Sequence, residues 1–332
     1  MKNFTCSCGQ TLFFENTRCL NCEKQVGFDP IQRAMFALPE RQDANGNLET
    51  IYLCKNSADY GVCNWLVTDP GASYCMSCSL NETIPNLLEA KRRRWWKSME
   101  YAKRRLIYSL LSLQLPVIGK AEQETGLAFK FIEDQRTNPG VYEEHVNTGH
   151  YNGLITINIA EADHVSREIS RQYTGELYRT LLGHFRHESG HYYYMKLVSK
   201  TPALAQFREL FGDETLDYGM ALQNYYANKK SLSHDPMYIS HYAQSHPLED
   251  WAEVWAHYLH MVDTLETAGQ FHLQQGATYL DDIEDTLQKW SELTLMMNAL
   301  NRSMGLEDAY PFTLSALTMA KLRFVHALIY PN

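Results

Sequence analysis

The strongest chemical signal in the sequence is His187-Glu188-Ser189-Gly190-His191. The segment from Thr174 to Ser199 reads as one helix, and on a helix positions i and i+4 lie one turn apart on the same face. Two imidazoles at that spacing can share one metal ion while Glu188 sits beside it, as in zinc hydrolases. His184 shares the face one turn earlier and reads as a supporting or packing residue rather than a ligand. Two histidines leave a catalytic zinc site incomplete, so a third protein ligand must come from elsewhere and one position stays open for water. The extended histidine pattern needs a glycine at position 194 and a histidine at 197; Tyr194 and Leu197 stand there and exclude it. Downstream, the run from Ser245 to Glu253 places Pro247 well as the first residue of a helix. Glu249 and Glu253 are then one turn apart. One carboxylate can bind zinc while the other accepts the ring N–H of a ligating histidine and fixes its tautomer. Acids in a first helical turn also suit the helix dipole, but the incomplete zinc site favours Glu249 as ligand with Glu253 behind it.

All eight cysteines fall between residues 6 and 78. Cys6, Cys8, Cys19 and Cys22 form one quartet of two close pairs, and Cys54, Cys63, Cys75 and Cys78 form a second, more loosely spaced one. Thiolates supplied as pairs on tight turns give zinc its four tetrahedral ligands with little chain ordering. Iron suits such quartets as well. Four disulfides are the other reading, and they require an oxidising compartment. The first nine residues carry one lysine and no apolar stretch, so no secretion signal is read there and a cytoplasmic location is expected. A segment this small and polar is expected to depend on its metals for folding.

These elements sit in a chain of 332 residues, 45% hydrophobic and 21% charged, a composition that excludes disordered and low-complexity classes. The formal charge of -9 argues against a general nucleic-acid or membrane-surface binder. The longest apolar run, Leu106 to Gly119, is too short to span a bilayer and contains Gln114 and Pro116. From Asn86 to Leu115 the periodicity gives an amphipathic helix, with Leu88, Trp95, Met99, Ala102, Leu106, Leu110 and Leu113 on one face. Between residues 91 and 105 its other faces carry a net charge of +7, which leaves -16 on the rest of the chain. Such a helix beside zinc modules can track phosphates or meet a protein partner; the acidic remainder of the chain favours instead a solvated face pairing with acids of its own chain. Two strands are expected beyond it, Leu127 to Ile132 and Gly153 to Ala160, and helical periodicity dominates from Glu161 onward. The resulting organisation is α+β: a zinc-ribbon region over 1–85, a basic connecting helix over 86–115, and a mainly helical domain with a small sheet over 116–332.

Taken together, Cys6-Ser-Cys8-Gly9-Gln10, Ala102-Lys-Arg-Arg-Leu106, Gly153-Leu-Ile-Thr-Ile-Asn158, His184-Phe-Arg-His-Glu-Ser-Gly-His191 and Asn301-Arg-Ser-Met-Gly305 resemble the bacterial zinc-binding metallopeptidases with an N-terminal zinc ribbon. The resemblance covers nearly the whole chain. A more distant one relates the helical core to gluzincins such as anthrax lethal factor and the Mlc titration factor, which implies a zincin-like catalytic domain. In those proteins the third ligand lies in a Glu-aromatic-aromatic-Ala-Glu helix, matched here by Glu249-Asp250-Trp251-Ala252-Glu253 except at Asp250. The same likeness implies a catalytic tyrosine seven residues before the ligand, and Tyr242 occupies that position. The function expected is peptide-bond hydrolysis with one catalytic and two structural zinc ions. Zinc at His187, His191 and Glu249 would acidify a water, Glu188 would take its proton, and Tyr242 would help hold the oxyanion. The Gly153–Ala160 strand is expected to be the edge that receives an extended peptide. Two other functions stay open: a zinc-ribbon nucleic-acid-binding or scaffold protein with a vestigial site, and an amidase acting on non-peptide amides.

Overall fold

The computed structural model describes residues 1–42, 48–165, 167–168, 180–228, 235–273 and 282–331. The chain divides into two compact units, 1–166 and 167–332. No helix among the described residues is long and apolar enough to cross a membrane.

The first unit opens with short antiparallel ribbons. β1 (Phe4–Thr5) pairs with β2 (Thr11–Leu12), β3 (Val26–Asp29) with β4 (Ala34–Ala37), β5 (Glu40–Gln42) with β6 (Leu48–Thr50), and β7 (Tyr52–Leu53) with β8 (Leu66–Val67). The turn between β1 and β2 carries Cys6 and Cys8 and closes at Gly9, whose φ of 88° belongs to the region that favours glycine. Two short helices follow, α1 (Lys55–Tyr60) and α2 (Met76–Ser79). The long helix α3 spans Ala90–Ser112. Phe14, Phe28, Trp65 and Tyr108 of α3 meet ring to ring at 4.9 to 5.2 Å. The cysteine-rich segment therefore has an aromatic core, to which α3 contributes, in addition to any metal.

The helix starts later than its periodicity suggests, and Leu88 lies outside it with 87% of its surface exposed. Its charges divide between buried or paired cations and an exposed group. Arg92, Lys103 and Arg104 are buried. Arg92 pairs with Glu133 at 2.6 Å, Lys103 with Glu100 at 2.9 Å, and Arg105 with Glu15 at 2.7 Å. Lys91, Arg93, Arg94 and Lys97 are the exposed remainder of that stretch.

β9 (Asn81–Thr83), β10 (Ala128–Ile132), β11 (Gly149–Tyr151) and β12 (Leu154–Asn158) form one sheet in the order β11-β12-β10-β9. Both expected strands are present as β10 and β12. Ile155 and Ile157 are fully buried, as their alternation with threonine requires. β12 is nevertheless an interior strand, parallel to β10 on one side and antiparallel to β11 on the other. Along Leu154–Thr156 both of its edges are taken, which corrects its expected role in receiving a peptide. The short β11, hidden in sequence by its length, took that edge. This sheet lies in the first unit, although the sequence grouped it with residues 116–332.

The regular elements described in the second unit are helices: α4 (Leu181–Leu197), α5 (Ala203–Phe211), α6 (Tyr218–Asn228), α7 (Pro247–Gln270), α8 (Ile283–Ser303) and α9 (Ala316–Ile329). α4 begins at Leu181, where Thr180 accepts the Gly183 N–H at 3.0 Å as a cap; residues 174–179 of the expected longer helix lie outside the described residues. α7 begins at Pro247 as expected, capped by His246, whose Nδ1 accepts the Leu248 N–H at 3.1 Å. α4 and α7 cross closely at Gly190, where an added Cβ would lie 2.9 Å from Ala252 Cα and 3.2 Å from Trp255 Cβ. Trp251 Nε1 donates to the Gly190 carbonyl at 2.8 Å and Trp255 Nε1 to Ser189 Oγ at 3.1 Å. Asp250, the departure from the aromatic pattern, turns toward α9 and forms a buried ion pair with Lys321 at 2.6 Å.

Gly190→Ala tests the crossing. Alanine improves intrinsic helix propensity by about 1 kcal/mol over glycine, whereas forcing a methyl into a packed contact costs about 1–3 kcal/mol. The crossing should dominate, so thermal unfolding should occur at a lower temperature than in the wild type; an increase would show that the helices do not meet there.

Candidate metal centre

α4 supplies His187 and His191 one turn apart, and α7 brings Glu249 and Glu253 against them on its first two turns. His187 Nδ1 lies 2.8 Å from Glu253 Oε1, and its Nε2 lies 3.0 Å from Glu249 Oε2. His191 Nε2 is 3.3 Å from Glu249 Oε1. One ligand atom from each of His187, His191 and Glu249 falls within 4.8 Å of the others. A tetrahedron with zinc–ligand bonds of about 2.0–2.1 Å has edges of about 3.3 Å, close to the two imidazole–carboxylate separations of 3.0 and 3.3 Å, which fall on different oxygens of Glu249.

The proton arrangement follows from donor and acceptor chemistry. An ionised carboxylate only accepts, so His187 Nδ1–H donates to Glu253, and the neutral ring carries its lone pair on Nε2. That lone pair faces Glu249 Oε2, which is also an acceptor. Two acceptors 3.0 Å apart need a cation between them. A proton can serve: burial opposes charge on His187, yet hydrogen bonding to Glu249 and then Glu253 overcomes it and raises the imidazole well above its ordinary pKa. His191 behaves oppositely, pushed down to about 4 by burial, and stays unprotonated at neutral pH. Burial disfavours charge on Glu249 too, but the adjacent imidazoles and the Tyr218 hydroxyl hold it well below the usual carboxylate range. Two imidazole nitrogens and one carboxylate oxygen, converging and electron-rich, fit a zinc ion.

Glu188 is buried on the same helix, and its charge contributes to raising the Tyr218 and Tyr242 hydroxyls. Tyr242 lies on a 3-10 turn, Tyr242–Ser245, with its ring centre 6.0 Å from that of His187. Burial first and the Glu249 charge second raise its hydroxyl far above the ordinary value, so it remains a donor. His184 is half-buried one turn before His187 and stands outside the donor group. Tyr218 was not among the residues expected from sequence. Its hydroxyl donates to Glu249 Oε1 at 2.7 Å, from a position 31 residues upstream that no spacing pattern marks in a chain with 21 tyrosines.

Both cysteine quartets also converge, each with its four sulfurs within 4.8 Å of one another. Cys6 and Cys22 are 3.7 Å apart, Cys8 and Cys19 3.6 Å, and Cys63 and Cys75 3.7 Å. Those separations far exceed a disulfide bond of about 2.05 Å and match the edge of about 3.8 Å in a tetrahedron of zinc–sulfur bonds. All eight cysteines are free. The loose spacing of Cys54 and Cys63 is explained by α1, which fills the gap and ends at left-handed Gly61. Donation from the Gln10 backbone and the Asn21 amide lowers the Cys8 thiol to about 6, favouring the thiolate that a metal requires.

A family model described as "Putative zinc-binding metallo-peptidase" matches residues 92–328, and a zinc-ribbon domain model matches residues 3–89. The chain belongs to this zinc-binding metallo-peptidase family. Relatives include uncharacterized proteins of Mycobacterium bovis and Mycobacterium tuberculosis, each 39% identical over 340 residues that cover 99% of this chain and 95% of the relative. No solved structure matches. The family match begins within α3 and takes in β10, β11 and β12 as well as the helical unit, so its boundary differs from the division into compact units.

Elemental analysis of the purified protein should find about three zinc ions per chain, one for each donor group. Alkylating the cysteines should release two and leave the third, whose donors are histidine and glutamate. A metal content of one with intact disulfides by mass spectrometry would contradict the two quartets.

Proposed function

We propose that the protein is a zinc-dependent peptidase that hydrolyses peptide bonds at the His187, His191 and Glu249 centre. The observation that carries this reading is the convergence of three lone-pair donors, with Glu253 fixing the His187 tautomer and Glu188 buried beside them. Membership of the metallo-peptidase family supports it. Zinc held there supplies a Lewis acid that polarises the scissile carbonyl and acidifies a water molecule. Glu188 accepts the proton the attacking water gives up and returns it to the leaving amine. Tyr242, kept protonated by burial and by the Glu249 charge, donates to the carbonyl oxygen as negative charge grows on it. Glu253 holds the His187 ring so that its Nε2 electron pair stays aimed into the site. The cysteine quartets supply four thiolates each and leave no open position, so their metals are structural.

The burial of Arg92, Lys103 and Arg104 weighs against the nucleic-acid alternative, because it removes charges that would have to reach phosphates.

Roles divide cleanly between binding and chemistry. Glu188→Gln should keep the third zinc and lose hydrolysis of a peptide library by several orders of magnitude, whereas Glu249→Ala should lose the zinc itself. Zinc retained in Glu249→Ala and lost in Glu253→Ala would reverse the two carboxylates. Tyr242→Phe should keep fold and zinc while kcat falls by about 10²–10³ with KM little changed; a kcat within about threefold of wild type would remove Tyr242 from the mechanism.

A further inference from the structure

The two oxygens of Glu249 are not equivalent. Oε2 faces His187 Nε2 at 3.0 Å. Oε1 lies 3.3 Å from His191 Nε2 and accepts the Tyr218 hydroxyl at 2.7 Å. We infer that Tyr218 is a positioning residue for the metal centre, its hydroxyl occupying one oxygen of Glu249 so that the carboxylate offers the other alone to zinc. This inference rests on the zinc-centre reading above. A carboxylate can bind zinc through one oxygen or two, and binding through one preserves the four-coordinate geometry with a position left for water.

The placement of Tyr218 is built into the fold at three points. It is the first residue of α6, and the Asp217 side chain accepts the Met220 N–H at 2.8 Å to hold that helix start. Its ring stands edge-on to His246, with centroids 5.1 Å apart. His246 in turn donates from Nε2 to the Leu216 carbonyl at 3.1 Å and caps α7 through Leu248. The residue that starts the ligand's helix thus also braces the tyrosine, and Tyr218 and Glu249 are fixed to one another by a single histidine.

The test uses full-length protein with zinc in both cysteine sites and the third site emptied by a chelator. Zinc affinity at the third site is measured by competition with a chromophoric chelator, and coordination is read from the visible spectrum after refilling with cobalt(II). Tyr218→Phe keeps the ring against His246 and should weaken zinc binding by about 10–100-fold. Its cobalt bands should lose intensity as the freed second oxygen raises the coordination number. An affinity within twofold of wild type overturns the inference, as does weaker binding with an unchanged cobalt spectrum. A fall in kcat at saturating zinc with unaltered affinity also overturns it, by assigning the hydroxyl to the substrate. Glu249→Ala measured alongside separates the readings: if that variant keeps the third zinc, the centre itself is wrong whatever Tyr218 does.

Discussion

The close approach of α4 and α7 at Gly190 governs the second unit. All three donors of the candidate centre, together with Glu188 and Glu253, project from these two helices. Their ring nitrogens and carboxylate oxygens come within about 3 Å of each other only where the backbones nearly touch. A side chain at 190 would fill the space taken by Ala252 and Trp255. The two tryptophans of α7 secure the crossing from both sides, one through the Gly190 carbonyl and one through the Ser189 hydroxyl. The middle of the His-Glu-Ser-Gly-His sequence therefore has a packing function of its own, separate from the chemistry of the residues that flank it. Arg186 and Asp263, buried and 2.6 Å apart, tie the same pair of helices farther along α7.

At the centre itself, the arrangement is one that protein groups alone satisfy poorly. The lone pair of His187 and the carboxylate of Glu249 repel each other unless something positive joins them. A buried proton can do this, at the expense of charging an imidazole out of water. A divalent cation does it for His191 as well, whose unprotonated nitrogen faces the same carboxylate. Glu253 sharpens the demand, since by accepting the hydrogen bond from His187 Nδ1–H it commits the Nε2 electron pair to the interior. The same logic applies to the cysteine quartets, where four sulfurs packed at 3.6 to 3.7 Å gain little from one another as thiols and much as ligands.

The sequence made the donors legible because they depend on local helical spacing. His187 and His191 are read from one turn of α4, Glu249 and Glu253 from one turn of α7, and Pro247 marks where the second helix begins. What it concealed were relations between distant segments. Tyr218 reaches Glu249 through a loop and a helix start with no periodic signature. β11 is three residues long, too short to show alternation, and its presence turned the strand at 154–158 from an edge into an interior strand. The apolar face of α3 was evident from its period, but the aromatic rings it meets come from strands of two and four residues and their flanking loops.

The basic stretch of α3 shows most clearly why charge in a sequence is ambiguous. Glu100 is fully buried and accepts from Asn81 at 2.7 Å, Trp96 at 3.1 Å and Lys103, with Cys78 Sγ 3.7 Å away. As a thiol Cys78 can donate to Glu100, but as a metal-bound thiolate it has no proton to give, and two anions then face each other in the interior. Lys103 answers that charge directly; burial opposes the Cys63 thiolate, and the field of Arg104 adds a smaller contribution in its favour. A buried charge left uncompensated costs about 3–5 kcal/mol, so these cations are required where the metal quartet and an acid share one core. Asn81 also belongs to β9, which pairs with β10, so the same cluster joins the second cysteine site to the sheet. Arg92, Lys103, Arg104 and Arg105 therefore serve as internal counter-charge to the protein's own thiolates and carboxylates, while Lys91, Arg93, Arg94 and Lys97 stay exposed.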